Sequence, residues 1–264
     1  MLEELRVFIS GSVVSYKALF TWLNPRDYVA IKIIMPLFQI SFFALVSQFA
    51  GGREAMKYAV IGNAIQLVAI NDIYGVSMTI GREKMFGTLP FILASPANRF
   101  SIFMGHSFVH IFDGILNSLF GLTIAWGVFR VHILKSQIAI LILILFVTSF
   151  GLSGLGMIIG SLSLYTRGVR PLMNTVYMLL LLLSGVNIPI SALPSCIRSI
   201  SIILPLTHGI KAARGVISGD TTLLDISFEI FLTGIIGVFF LIIGYYCFLL
   251  FEKKAYKEGT FEYI

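Results

Sequence analysis

The 264-residue chain is poor in charge: Asp, Glu, Lys and Arg together make up 12% of it, about half their share in a soluble domain. It has two cysteines, Cys196 and Cys247, too few for a disulfide framework or a four-ligand zinc site. Strand-period alternation is missing, which argues against a membrane barrel. There is no phosphate-cradling GxxxxGK-Ser/Thr loop, no Gly-x-Ser-x-Gly elbow and no kinase signature set. No segment between the apolar runs is long enough for an ATPase domain, so energy from ATP has to come through a separate chain. Met1–Ser10 carries Glu3, Glu4 and Arg6 without an uninterrupted apolar core, and a cleavable signal peptide is not expected.

What the chain has in excess is apolar surface. The apolar and aromatic types make up 57% of it, with 23 Phe, and mean hydropathy is +0.93. A water-soluble globule of this size cannot hide that much, so the solvent for most of the chain is lipid. Disorder and nucleic-acid binding are set aside on the same ground. The net charge of +6 then marks the flanks of membrane spans rather than a polyanion partner.

About 20 apolar residues cross the hydrocarbon core as a helix. Six runs meet that length: Tyr28–Phe49, Tyr58–Ile80, Phe100–Phe129, Gln137–Leu164, Pro171–Ile190 and Ile226–Phe251. With both termini inside, 11 basic residues fall on the cytoplasmic flanks and 7 outside, with Lys32 within the first run. This bias puts both ends in the cytoplasm. Upstream, Leu2, Leu5, Ile9, Val13, Tyr16, Phe20 and Leu23 recur every three or four residues, the stripe of an amphipathic helix. The chain therefore divides into an interfacial or base-packed helix (1–27), a six-span bundle (28–251) and a cytoplasmic tail (252–264).

Two stretches are neither span nor simple loop. In Gly81–Arg99, Gly87 permits a sharp turn, Thr88 can cap a short helix, and Pro90 is tolerated in its first turn. Phe91, Ile92 and Leu93 give that helix apolar bulk, Ser95-Pro96 ends it, and Asn98 can cap the next span. Such a helix lies across the membrane base, either fitting a cleft on another protein or anchoring the bundle. In Ser184–Arg214, Pro189, Pro194 and Pro205 cut the chain into apolar pieces too short to span. They must re-enter the outer leaflet or pack on the bundle's outer end. A lid over a pathway and a static plug both remain open.

These stretches resemble those of a known family. Glu83, Gly87, Thr88 and Leu89, followed by Ser95, Pro96 and Arg99, match the Glu-x-x-x-Gly-Thr-Leu pattern of type-2 ABC permeases. Ser184, Gly185, Pro189, Leu193, Pro194 and then Leu204, Pro205, Leu206, Thr207, His208 and Arg214 match the run those permeases carry before the last span. Met85 and Pro90 stand where many members have further acidic residues. The resemblance implies an all-α fold in a bacterial plasma membrane, with an N-terminal interfacial helix and six spans. It also implies a coupling helix between spans two and three and re-entrant helices between spans five and six. Further, it implies a second copy or a similar permease as partner and a cytoplasmic ABC ATPase in two copies, which would bind the ATP and Mg. This chain itself is expected to bind no cofactor and to be no enzyme, and the direction of transport is taken as export.

Polar residues within the runs are candidates for a pathway or a dimer interface. The second run has Asn63, Gln66, Asn71 and Asp72. The third has His106, His110, Asp113 and Asn117 at spacings of 4, 3 and 4, which places them on one helix face. Two His at i, i+4 with a carboxylate is acceptable metal geometry, yet no Glu follows His106 to make the zinc signature; helix–helix hydrogen bonding is the preferred role, with a proton relay as another. Lys32, near the inner end of its run, is expected to snorkel to the interface. Gly151, Gly154, Gly156 and Gly160 read as points of close helix approach.

Three functions follow. The leading one is a transport subunit for an antibiotic, drug or other amphiphile, or alternatively for a lipid-linked polysaccharide or teichoic acid precursor. The second is an ion-coupled carrier, which internal repeats would favour; none is evident. The third is an intramembrane lipid- or glycan-modifying enzyme using His106, His110, Asp72 or Asp113 as acid and base.

Overall fold

The structure, a computed structural model, describes residues 25–94, 99–165 and 169–258. The predicted helix over residues 1–24, Pro96, Asn98 and the last six residues lie outside that description. So do the side chains of Leu89, Arg99 and His106. Every described element is helical.

The chain enters through α1 (Pro25–Val29), a π-helical turn (Ala30–Ile34) and α2 (Met35–Ile70). A second π-helical segment (Asn71–Val76) and α3 (Ser77–Met85) follow. This is not one straight rod. Gly51 and Gly52 leave helical geometry, with Gly52 at φ 73°, a conformation open to glycine at little cost. Lys32 bonds Asn71 and Gln39 bonds Asn63 and Gln66, so these pairs are centred on Gly51–Gly52. The two arms therefore run antiparallel as a helical hairpin, in keeping with the first two apolar runs.

Next come the short α4 (Leu89–Ala94) and α5 (Arg99–Gly127). α6 (Ile138–Ser163), α7 (Arg170–Leu183), α8 (Ser195–Ile202), α9 (Pro205–Ser218) and α10 (Leu223–Glu258) complete the chain. Four helical stretches are long and apolar enough to cross a membrane, or five if the bent pair α8–α9 counts as one. α7 stops at Leu183, seven residues short of the end expected from hydropathy. Gly185 at φ 72° turns the chain there. The resulting helix is about 21 Å long at 1.5 Å per residue, less than the hydrocarbon core. α10 runs past Phe251 to Glu258, so the segment read as a tail begins as helix.

The prolines act as the sequence suggested. Pro194 precedes α8, Pro205 is the first residue of α9, and the two helices meet at 84°. A Cβ on Gly151, thirteen residues into α6, would sit 3.0 Å from Pro205, while Gln137 at the start of α6 donates to Val216 O at 2.6 Å. α9 thus lies along the first half of α6, with the bend near the middle of that helix.

α6 is the axis of the molecule: α10, α9, α3, α5 and the second π segment all pack on it. Between helices immersed in lipid, burying one apolar surface against another gains little, so association depends on close packing and interhelical hydrogen bonds. The glycines of α6 supply the first. A Cβ on Gly154 would meet Leu241 N at 2.6 Å, one on Gly156 would meet Asp72 O at 2.5 Å, and Gly151 faces Gly237 backbone to backbone. Outward faces stay apolar, as Phe38, Phe42 and Phe49 of the first arm and Phe231 and Phe239 of α10 show.

Gly154→Ala is therefore expected to force α6 and α10 apart and cost about 1–3 kcal/mol. Gly127→Ala, with nothing within 4 Å of the new methyl, should stay within about 0.5 kcal/mol of wild type. Thermal unfolding of the two variants in one detergent checks the contrast.

Candidate functional site

A cavity of about 520 Å³ opens between the hairpin, α5 and α7. The first π turn gives it Ile31 and Lys32, the second Asn71, Tyr74 and Gly75; α5 gives His110 and Asp113, and α7 gives Met173, Asn174 and Tyr177. A π turn is wider than an α turn and recurs at functional positions; here two of them face each other across one polar cluster.

Lys32 does not snorkel. Its ammonium forms a salt bridge with Asp113 of α5 and a hydrogen bond with Asn71 Oδ1. Both side chains are mostly covered, at 11% and 16% exposure. At that depth a nearby carboxylate is a better partner than a distant headgroup, which a single helix read alone could not reveal. Asn71 also donates to Leu67 O at 3.1 Å.

The face carrying His110 and Asp113 turns toward the hairpin. Thr79 Oγ1 donates to Gly75 O at 2.9 Å, and His110 Nε2 lies 3.2 Å from the same hydroxyl. With the hydroxyl proton engaged, the imidazole is the donor. Asn117 is buried on the same helix. Asp72 is fully buried but turned away from the cavity, with both carboxylate oxygens within 2.8 Å of Ser149 Oγ on α6. Asn63 and Gln66 form a separate level beyond the cavity: Gln39 reaches both, Asn63 donates to Asn187 at 2.7 Å, and Tyr177 joins Gln39 and Gln66. Among the described residues no three His, Cys, Asp or Glu side chains come close enough to hold a metal ion.

At the other end, the proline-cut segment 184–214 is fastened by charge. His208 Nδ1 bonds Glu229 Oε2 at 2.6 Å and its Nε2 bonds Ile202 O at 2.8 Å. Both partners are acceptors and Lys211 also binds Glu229, so the ring donates from both nitrogens. Arg214 donates to Gly185 O, Val186 O and Tyr58 O at 2.7–2.8 Å, and stacks over the Tyr58 ring at 3.3 Å. Pro189 and Pro194 bracket the short turn at Ile190–Ala192.

Near the opposite ends of the hairpin and α6, Gly87 at φ 68° makes the expected turn. Thr88 closes that turn on its second-arm side. Its hydroxyl bonds back to Glu83, at the main-chain oxygen (3.2 Å) and the carboxylate, while Lys84 donates to Ser163 O and Leu164 O at the end of α6. A turn closed on Glu83 and clasped to α6 projects α4, with Phe86 63% and Phe91 78% exposed.

The profile of the ABC-2 type transporter family matches residues 12–218. The chain belongs to that family. A search of curated proteins finds no match. As a member of a family that forms the membrane component of ABC transporters, this ABC-2 permease is a multi-pass membrane protein, and the family generally works with a cytoplasmic ABC ATPase.

Sequence reading passed over Glu229, Lys211, Gln39, Ser149 and Tyr177. Glu229 left a signal: it is the one acid within the sixth apolar run, and an ionisable residue there calls for a partner. In the permease, Asp113→Asn should leave Lys32 without its counter-charge and cost about 3 kcal/mol or more. The pair Lys32→Met with Asp113→Leu should recover most of that loss in thermal unfolding.

Proposed function

We propose that this chain is the permease subunit of an ATP-driven exporter of amphiphilic molecules in a bacterial cell membrane. Two permeases, identical or similar, form the route, and each seats α4 on a cytoplasmic ATPase. The two hairpin arms, α5, α6 and α10 account for five crossings. The short α7 is the sixth, and α8–α9 re-enter from outside. Both termini then lie in the cytoplasm, on the side with the larger share of basic residues.

The observation that carries this reading is α4 on its braced turn. A six-residue helix displaying the exposed Phe91, with Phe86 exposed on the turn before it, has no stability of its own; here Thr88, Glu83 and Lys84 lock it to the ends of both the second arm and α6. An anchor in the interface needs no such brace, whereas a part that receives force from another protein does. Closure of the ATPase pair would move α4, and with it the second arm, which borders the cavity, and the core helix packed behind that arm. The cavity's methionine and tyrosine walls, with a few polar groups at fixed places, suit an amphiphile.

Affinity purification of the tagged chain from membranes of its native host, in mild detergent, should recover an ABC ATPase. Phe91→Ala and Thr88→Val should each lower that recovery about tenfold while leaving the permease's own thermal stability within about 1 kcal/mol. Reconstituted alone in vesicles, the permease should accumulate nothing against a gradient; uphill transport by the pure chain would sink the proposal.

A further inference from the structure

We infer that the 520 Å³ cavity binds a single-chain amphiphile with an anionic head, a phosphate or a carboxylate, held by Arg82 and Arg170. The inference rests on the permease reading above and narrows its cargo by charge.

The charges around the cavity do not cancel. Lys32 and Asp113 satisfy each other. His110 is engaged at Thr79. Arg82 and Arg170 also line the cavity, and among the described residues neither has an ion pair. The carboxylate beside Arg82 in sequence, Glu83, accepts from Thr88 and offsets part of the Arg82 charge. Two guanidinium groups thus line the cavity against one neighbouring carboxylate that does not, and the guanidinium is the side chain best matched to the fork of a carboxylate or phosphate.

Both arginines are at one end. Tyr74 OH bonds Asn174, and Tyr177 bonds Gln66, so α7 runs antiparallel to the second arm. Arg82 comes two turns after Tyr74 and Arg170 one turn before Asn174, which puts both on the side of α4. The far end is closed by Tyr74 and Tyr177, whose rings meet edge to face at 6.0 Å. Between the ends, Met35, Met78 and Met173 line the wall. Thioether side chains conform to varied apolar shapes, so the wall suits an alkyl or isoprenoid chain better than a rigid polar solute. The volume lies within the usual range for a small-molecule site.

Basic residues also gather on cytoplasmic flanks without any ligand, so the test needs a control at Lys253 and Lys254, which do not line the cavity. The permease is reconstituted in phosphatidylcholine nanodiscs and labelled with a photoactivatable dodecyl phosphate, and the adducts are mapped by mass spectrometry. Adducts are expected on cavity residues such as Met78 and Met173. Dodecyl phosphate should compete at least tenfold better than dodecyltrimethylammonium. Arg82→Gln with Arg170→Gln should cut labelling at least fivefold, while Lys253→Gln with Lys254→Gln leaves it unchanged.

A second set of nanodiscs containing phosphatidylglycerol separates two sources of the same chemistry. Labelling lost there identifies a bilayer lipid as occupant, labelling kept identifies a cargo, and both support the anionic site. Equal competition by the cation, adducts confined to the outer faces of α2 and α10, or unchanged labelling of the arginine variants would each overturn it. The assay contains no ATPase: absent coupling with intact labelling removes the permease reading, and intact coupling with absent labelling removes this one.

Discussion

A lysine inside an apolar helix must find a counter-charge, and much of this structure is arranged around that requirement. Lys32 sits in the first arm of the hairpin, its acid in α5, and its amide partner Asn71 in the second arm. One ammonium therefore joins three helices at one level. An ionisable group on an isolated helix costs about 2.5–3.5 kcal/mol at bilayer depth on insertion scales. That cost is relieved only when all three helices are in register. The cluster therefore selects one packing over slipped alternatives, and the cavity beside it inherits a fixed shape.

The same economy of contacts runs through the rest of the bundle. Apolar faces supply solubility in lipid but little choice of neighbour. Choice comes from glycines that let α6 touch α10 and the second arm, and from polar side chains that reach across: Ser149 to Asp72, Ser77 to Gly156 O at 2.8 Å, Ser118 to Ala64 O at 2.8 Å. The end bearing α8 and α9 follows the same rule with charge. Arg214 gathers two carbonyls freed where α7 stops together with Tyr58 O of the second arm, and Glu229 holds His208 and Lys211 of α9. Irregular backbone at membrane depth is tolerated because protein satisfies it.

Hydropathy made the long helices legible, because lipid imposes one length and one composition on any crossing. The proline-cut segment 184–214 and the Gly87 turn were legible for a similar reason, since each depends on backbone properties of single residues. Partners were not. Lys32 and Asp113 are 81 residues apart, and nothing local to either announces the other, so a snorkelling lysine was the natural expectation. Thr88 adds a partner of the same hidden kind: its position before a helix fits a cap, and its hydroxyl proton goes to Glu83 five residues back. α7 was overestimated because Ser184–Ile190 is apolar enough to continue a span, while Gly185 in the left-handed region ends it. Hydropathy records solvent preference and is blind to dihedral angles.

The second π segment shows how one local irregularity serves two interfaces. Asn71 and Asp72 are adjacent, yet Asn71 faces Lys32 of the first arm and Asp72 faces Ser149 of the core helix. Neighbours on a helix point about 100° apart, and a π turn spreads the backbone further from the regular ladder at that level. The segment can thus take hold of the hairpin partner on one side and α6 on the other without a break in the rod. Below it, the same rod continues through α3 to the turn that carries α4. A displacement of α4 cannot be absorbed by a loop on the way, because Lys84 ties the lower end of the rod to α6 and Asp72 ties its upper part to the same helix. The second arm and α6 are thereby clamped at two levels. The first arm and α7, which close the cavity from the other side, meet that clamped pair through Lys32, Gln39 and Tyr177 and through buried apolar residues such as Ile40 and Leu180, so the cavity lies along a seam that is polar at some levels and apolar at others.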